Sequence, residues 1–205
     1  CEWGCFDYSQ QEPRLVVHYA SLDQDSSVFN VKDAYNEGDA DFHTIVAKMA
    51  QIPRDQAKTI NLGLFYGMGK AKLQAELGVS KDKAEELFSV YHNRVPFVRS
   101  LMKSVSNRAQ QRGQIRTLLG RLCRFHLWEP NSFGMHKALP FEQAVQEHGP
   151  GIKRAYTYKA LNKLIQGSAA DMTKKSMLDL YKEGIIPHIQ IHDELDISVE
   201  NDKQA

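Results

Sequence analysis

Four side chains at intervals of four residues form a pattern suited to a charged, flat ligand. They are Arg54, Lys58, Leu62 and Tyr66, within the segment RDQAKTINLGLFYG. This spacing stacks side chains along one stripe of an α-helix, here in the order cation, cation, apolar, aromatic. A solvated helix edge is the alternative. It would leave Leu62 and Tyr66 facing water, so the pattern favours a ligand-binding surface.

Two aspartates, at the two ends of the chain, suggest a metal site. Asp7 ends a short apolar strand, and Asp193 interrupts an alternation of apolar residues in the last predicted strand pair. A carboxylate beside a buried face needs compensation, and a hairpin turn at HDE is an equally weighted alternative. Together the aspartates could bind Mg²⁺, which needs only one or two carboxylates besides phosphate oxygens and water. Such a site supports phosphoryl transfer, with Arg54 and Lys58 neutralising phosphate.

Composition sets the limits within which these residues act. The chain has 205 residues, 42% hydrophobic and 25% charged, and a formal net charge of +1. This is enough for one large domain or two small ones, and any phosphate-binding surface must come from local clustering of cations. No long apolar run or signal peptide is present, and three scattered cysteines suggest reduced thiols. The absence of an initiator Met suggests an internal piece of a longer protein.

The elements that must position these residues are mostly helical. A capping box, Ser9 with Glu12, predicts a helix over 10–22, and residues 23–40 and 127–151 are predicted to be loops. Period-two alternation predicts a final strand pair with Ile189, Ile191, Leu195, Ile197 and Val199 on one buried face. The predicted fold class is α+β. Further helices are predicted over 41–50, 53–66, 70–78, 80–92, 96–112 and 152–183, the last interrupted at Gly167, with a strand over 2–8 and a hairpin around Gly120.

Five segments, in order, resemble the motifs of family A DNA polymerases, in a phage-like variant. The resemblance implies a right-hand fold with a palm (residues 1–35 and 148–205) and fingers (36–147). It also implies a fragment that lacks the thumb, the exonuclease region and the C-terminal end. The segments are DYSQQEPR at 7–14, RDQAKTINLGLFYG at 54–67, TLLGR at 117–121, ALNKLIQGSAADM at 160–172 and QIHDE at 190–194.

The resemblance also implies roles for individual residues. Asp7 and Asp193 would bind two Mg²⁺ ions, Glu194 would be an accessory acid, and Lys58 would be both catalytic and a ligand of the triphosphate. Glu12 would be the steric gate against a ribose 2′-hydroxyl. The implied nucleotide-binding residues are Gln10, Glu12, His43, Arg54, Lys58, Leu62 and Tyr66, and the implied DNA-binding residues are Arg121, Asn162, Gln166 and His192.

Three positions depart from the family pattern. Gln11 and Pro13 stand where aliphatic residues are more frequent, and Pro13 disfavours α geometry at Glu12. Leu62 stands where Phe or Tyr is more frequent. Leucine keeps apolar contact with the sugar and base but has neither a flat ring nor a hydroxyl. We therefore expect Leu62 to alter sugar discrimination and the speed of incorporation.

The sequence thus predicts template-directed DNA synthesis by two-metal nucleotidyl transfer in phage DNA replication. The expected partners are primer-template DNA, deoxynucleoside triphosphates and possible replisome proteins, with no membrane, and the expected location is the cytoplasm of the host cell. One alternative is a catalytically silent nucleic-acid-binding fragment. Another, a metal-dependent phosphohydrolase using the same aspartates, leaves the stripe from Arg54 to Tyr66 unexplained.

Overall fold

A three-stranded antiparallel sheet joins the two ends of the described chain and carries both predicted metal-binding aspartates. The computed structural model describes residues 2–23, 25–38, 40–65, 70–132 and 134–199. The sheet has the order β1-β8-β7, with β1 at Glu2–Asp7, β7 at Ile189–Ile191 and β8 at Glu194–Val199. Two smaller antiparallel sheets are also present. One pairs β2 (Gln114–Arg116) with β3 (Leu122–Arg124). The other consists of β4 (Leu127–Pro130), β5 (Leu139–Pro140) and β6 (Ile152–Arg154), with β4 in the middle.

Helices make up most of the described chain, so the α+β fold class is confirmed. Most of the helices contribute to one apolar core, whose largest fully buried side chains include Tyr91, Phe42, Phe65 and Phe97. Among the described residues no helix has the length and apolar character required to cross a bilayer. The helices are α1 (Gln11–Leu22), α2 (Phe29–Glu37), α3 (Phe42–Ala50), α4 (Arg54–Phe65), α5 (Lys70–Leu77), α6 (Lys81–Arg94), α7 (Pro96–Arg112), α8 (Phe141–His148) and α9 (Ala160–Lys182).

Several boundaries agree with the sequence pattern. Asp41 caps α3 by accepting a hydrogen bond from the backbone of His43, and Ser80 caps α6 through Lys83. The hairpin of β2 and β3 is present around Gly120. The predicted helix starts near residues 41 and 80 and the predicted hairpin are confirmed, because helix starts and hairpin turns depend on interactions within a few residues.

The start of α1 differs from the predicted capping box. The N-cap is Gln10, in a left-handed conformation with φ 54° and no side-chain cap, so the predicted Ser9–Glu12 box was wrong. Pro13 does not prevent α geometry at Glu12, since both lie in the first turn of α1, where proline removes no helical hydrogen bond. The side chain of Gln10 is used elsewhere, as described below.

The two segments predicted as loops contain regular structure. Residues 29–37 form α2 because Val28 and Val31 are fully buried in the core, which outweighs the polar composition of the segment. Residues 127–151 contain β4, β5 and α8. The predicted long helix over 152–183 begins only at Ala160 and continues through Gly167 without interruption.

The prediction that the odd-numbered apolar residues of the last two strands share one buried face was also wrong, because of the length of the turn between the strands. The hairpin turn consists of His192 and Asp193, so Ile191 lies opposite Glu194 and Ile189 opposite Asp196. Residues paired across antiparallel strands share a face, so a two-residue turn places odd residues of β7 beside even residues of β8. Ile189 and Ile191 are exposed, whereas Leu195, which lies on the other face, is buried.

Candidate active site

A cleft of 710 Å³ collects seven of the residues predicted from the sequence. Residues of α1, α3, α4, α9 and the β7–β8 hairpin line it. Four of these elements, α1, α3, α4 and α9, contribute residues to the common core. The predicted residues that line the cleft are Gln10, Glu12, His43, Leu62, Gln166, His192 and Asp193.

Asp7 and Asp193 come together at one end of the three-stranded sheet. Asp7 is the last residue of β1 and lies opposite Glu194, the residue that follows Asp193. Asp193 occupies the hairpin turn, so the turn alternative is confirmed, and the turn itself places the carboxylate beside Asp7. Burial raises the pKa of Asp193, and the Asp7 carboxylate raises it further. Two carboxylates in this arrangement are suited to a hard divalent cation.

Glu194, the predicted accessory acid, is half-buried at the start of β8. Burial raises the pKa of its carboxyl, and the charges of Asp196, Asp7 and Asp193 raise it further. This end of the sheet therefore carries a concentration of negative charge.

His43 is held in the cleft wall by a buried chain of hydrogen bonds. The side-chain amide of Asn61 lies 3.0 Å from Nδ1 of His43, and the hydroxyl of Tyr91 donates to Oδ1 of Asn61. Because Asn61 accepts on its oxygen, its nitrogen faces His43 and donates to Nδ1, which leaves the proton of a neutral imidazole on Nε2. Burial lowers the pKa of His43, and the charges of Arg54 and Lys58 lower it further against the effect of Asp41.

Arg54 is paired with a carboxylate and does not line the cleft. Its Nε donates to Oδ2 of Asp41 at 2.7 Å and to Oγ1 of Thr44 at 3.2 Å. Burial would raise the pKa of Asp41, but the hydrogen bonds from Arg54 and Thr44 lower it to about 2. The pair ties α4 to the N-terminus of α3, where His43 lies.

The remaining members of the predicted stripe diverge along α4. Leu62 is half-buried and lines the cleft. Lys58 is exposed one turn earlier, outside the cleft lining but near enough to His43 to affect its pKa. Tyr66 lies outside the described residues.

Gln10 connects the start of α1 to the start of α3. Its Nε2 donates to the carbonyl oxygen of Ala40 at 2.9 Å. Its Oε1 accepts from the hydroxyl of Tyr35 at 3.0 Å and from the backbone nitrogen of Phe42 at 2.9 Å. These bonds hold the left-handed backbone conformation of Gln10. Gln10 lies between Asp7 and Glu12, which are both predicted site residues.

Arg121 fastens the β2–β3 hairpin to α9. Its guanidinium bonds Asp171 at 2.8 Å and the carbonyl oxygen of Gly167 at 2.7 Å. Burial would raise the pKa of Asp171, but hydrogen bonds from Thr117, from the backbone of Leu119 and from Arg121 hold it below its ordinary value. Arg121, whose side chain stays 46% exposed, thus braces the hairpin on α9 next to Gln166, and its predicted DNA contact stays a prediction.

Gly167 permits this close packing. A Cβ at this position would lie 2.7 Å from Cγ2 of Thr117, closer than side chains approach one another. Gln166 lies on the cleft side of α9, whereas Asn162, one turn earlier, is half-buried and does not line the cleft.

Four polar residues that line the cleft were not predicted as site residues: Gln11, Thr173, Lys174 and Gln190. Thr173 and Lys174 extend the cleft along α9, and Gln190 reaches it from β7. The spacing of Gln166, Ala170 and Lys174 by four residues repeats the pattern of the α4 stripe, so periodicity could have identified Lys174. Gln190 has no such periodicity, but it opens the QIHDE motif, so the family resemblance could have identified it.

The comparisons with known proteins agree on one family. The model of DNA polymerase family A matches residues 2–205. A DNA-directed DNA polymerase of Pseudomonas phage M6 is 33% identical over 99% of this chain and 34% of its own length. DNA polymerase I of Bacillus caldotenax is 31% identical over 95% of this chain and 21% of its own length.

A solved structure shows the same fold. The POL domain of Pol1 from M. smegmatis, in complex with DNA primer-template and dNTP, superposes with a TM-score of 0.74 and 29% identity. The match covers 100% of this chain and 34% of that chain. This chain therefore spans about a third of the phage relative and of the solved structure, and less of the bacterial enzyme.

Proposed function

Because this chain belongs to DNA polymerase family A, we propose that it extends a DNA primer on a template with deoxynucleoside triphosphates. The observation that carries this proposal is the juxtaposition of Asp7 and Asp193 beside a cleft lined by His43, Leu62 and Gln166. In the reaction, the primer 3′-oxygen forms a bond to the α-phosphorus and the bond to pyrophosphate breaks. Such transfer depends on positioning and on neutralisation of charge.

Asp7 and Asp193 would hold two Mg²⁺ ions. The donor set fits, since both are carboxylates, the oxygen ligands that Mg²⁺ prefers. Burial raises the pKa of Asp193 and the neighbouring Asp7 carboxylate raises it further, and a bound cation would offset this accumulation of negative charge. When bound, the two ions would make the primer hydroxyl a stronger nucleophile and neutralise charge on the phosphates.

The nucleotide would be held by α3 and α4. His43, with its proton on Nε2, would donate to a phosphate oxygen, and Lys58 would add positive charge next to it. Arg54, which we predict to contact the triphosphate, would act at the outer end of this surface while paired with Asp41. Leu62 would contact the sugar and base, and Glu12, across the cleft, would exclude a 2′-hydroxyl.

The primer-template would lie along α9 and the β7–β8 hairpin. Gln166 and His192 line the cleft from these two elements and would contact the duplex near the primer end. Lys174, further along α9, would contribute a cation to the nucleic-acid backbone. Asn162 and Arg121 would act at the edge of this surface, Arg121 mainly by holding the hairpin on α9.

Primer extension by the full-length polypeptide that contains this chain tests the proposal. We expect Asp193→Asn to abolish extension, because the amide cannot replace the carboxylate charge, and Asp7→Asn to do the same. Asp82→Asn, an exposed carboxylate at the start of α6, is the matched control and should extend primers as the parent does. Extension that survives Asp193→Asn would refute the metal assignment.

A silent nucleic-acid-binding module is the second candidate function. The observation that favours it is length, since this chain covers 34% of the Pseudomonas phage M6 enzyme. Fluorescence anisotropy of a labelled primer-template distinguishes the two. Binding by the parent without extension would support the silent module, whereas extension that depends on Asp193 excludes it.

The biological setting is proposed from the relatives. DNA polymerases of Pseudomonas phage M6 and Salmonella phage PMBT28 are 33% and 29% identical to this chain. We place the synthesis in phage DNA replication in the host cytoplasm, together with other replisome proteins. Loss of phage DNA accumulation on disruption of the gene would be the corresponding test.

A further inference from the structure

A thiol and two carboxylates lie together on one face of the three-stranded sheet, further along it than Asp7. Cys5 lies directly opposite Asp196 in the β1–β8 pairing, and Glu194 is two residues before Asp196 on the same strand. Residues two apart on a strand share a face, so all three side chains project from the same side. Their ligand atoms all lie within 4.8 Å of one another.

Asp196 is the feature of this cluster that requires an explanation. Its side chain is 5% exposed, and Oδ1 has no hydrogen-bond partner. Among the ion pairs of the described residues, none includes Cys5, Glu194 or Asp196. A buried carboxylate oxygen without a donor or a cation is costly, and native proteins rarely retain one unless something binds it.

We propose that Cys5, Glu194 and Asp196 form a second divalent-cation site, selective for a transition metal such as Zn²⁺ over Mg²⁺. A thiolate is a soft ligand that suits Zn²⁺ and Co²⁺, whereas Mg²⁺ prefers oxygen alone. One sulfur and two carboxylate oxygens supply three positions of a tetrahedral site and leave the fourth for water. The orphaned Oδ1 of Asp196 gains its partner in this arrangement.

The site uses neither member of the Asp7–Asp193 pair, although it shares Glu194, the predicted accessory acid. The Cys5–Asp196 pair lies two residues along the strands from the Asp7–Glu194 pair, which corresponds to about 6.6 Å. Its proposed ligands include neither Asp7 nor Asp193. A cation there would tie β1 to β8 across the sheet and so brace the two strands that carry the predicted catalytic carboxylates.

The electrostatics of the cluster agree with this geometry. The cluster brings two carboxyl groups next to the Cys5 thiol. The described neighbours in this cluster thus add negative charge. A divalent cation would offset that charge directly.

Cobalt spectroscopy on the 205-residue chain tests the site without nucleotide, DNA or catalysis. Co²⁺ is added in the presence of excess Mg²⁺, which occupies oxygen-only sites. A thiolate ligand produces a sulfur-to-cobalt charge-transfer band in the near ultraviolet, and we expect this band at one equivalent of Co²⁺. Cys5→Ala should abolish it, and Asp196→Asn should weaken Co²⁺ binding by about tenfold or more.

Matched variants separate this site from the other thiols and from the catalytic pair. The double variant Cys1→Ala/Cys123→Ala retains Cys5 as the remaining thiol of the sequence and should keep the band. Asp7→Asn should keep it too. The proposal is overturned if the parent gives no band, if the band survives Cys5→Ala, or if the double variant loses it.

A stability measurement distinguishes the loss of a metal ligand from the misfolding of a variant. Because Asp196→Asn removes a buried charge and keeps the shape, we expect it to fold and to melt at or above the temperature of the metal-free parent. Zn²⁺ should raise the melting temperature of the parent and not that of Asp196→Asn. An equal rise in both proteins would contradict the assignment of Asp196 as a ligand.

Discussion

The side-chain nitrogen of Asn61 lies 3.0 Å from Nδ1 of His43, eighteen residues away on the neighbouring helix. Asn61 is completely buried, and Tyr91 donates to its oxygen. The chain of hydrogen bonds thus decides which imidazole nitrogen of His43 carries its proton. It makes Asn61 a positioning residue for a side chain that lines the cleft.

Removal of this amide should therefore affect both stability and nucleotide binding. We expect Asn61→Ala to lower the free energy of unfolding by about 1–3 kcal/mol, because the Tyr91 hydroxyl loses its buried acceptor. The Michaelis constant for nucleotide should rise as His43 loses its orientation. Urea denaturation and extension kinetics measure these effects, and Asn107→Ala, an exposed helical asparagine, is the control. Equal stability of the two variants would contradict the role of Asn61.

Stability should decrease as the pH falls from 7 to 5. Burial lowers the pKa of His43 and of His92 below the ordinary value of 6.5. The unfolded chain therefore binds more protons than the folded chain in this range, so acid favours unfolding. The double variant His43→Gln/His92→Gln should show a flatter pH dependence in urea melts. Replacement of the exposed His126 by Gln should leave the slope unchanged, and a slope insensitive to the double variant would count against this origin.

The Asp41–Arg54 pair should contribute a small stabilisation that disappears in acid. Asp41→Asn keeps an N-cap residue but removes the charge. Since both side chains are partly exposed, we expect a loss of under about 1 kcal/mol at pH 7. The folded pKa of Asp41 is about 2, so the difference between parent and variant should shrink as the pH falls from 4 to 2. Asp33→Asn, exposed on α2, is the control and should show no such trend.

Gly167→Ala should destabilise the chain, although alanine is the better helix former. The new Cβ would lie 2.7 Å from Cγ2 of Thr117, a stiff and buried side chain. We expect a loss of about 1–3 kcal/mol in urea melts. The double variant Gly167→Ala/Thr117→Ser keeps the hydroxyl and removes the methyl group, so it should recover much of this loss. No recovery would show that the glycine is required for another reason.

Leu62 should influence how the cleft distinguishes sugars. It lines the cleft with Glu12, the predicted steric gate. Leu62→Phe adds a flat ring, and Leu62→Tyr adds a hydroxyl that could pair with a polar group of the sugar or phosphate. We expect the ratio of kcat/KM for deoxynucleotides and dideoxynucleotides to change by roughly tenfold in at least one variant. Unchanged ratios in both variants would rule out the effect.

Local sequence patterns determined much of this protein. The five motifs identified the family, and local patterns predicted helices that begin near residues 41 and 80, because these signals act within a few residues. The motifs contain Asp7, Leu62 and Asp193, and the family resemblance also implied His43. Seven of the predicted residues do line the cleft, while their individual roles stay predictions.

Only the tertiary structure decided the contacts between distant segments. A turn of two residues set the face of Ile189, and core packing made a helix of residues 29–37. The pairing of Arg54 with Asp41 and the burial of Asp196 likewise have no local signature. Periodicity identifies the stripe or face on which a side chain lies. The partner of that face depends on how segments far apart in the chain pack together. The same packing decides which charges are paired and which are left for a ligand.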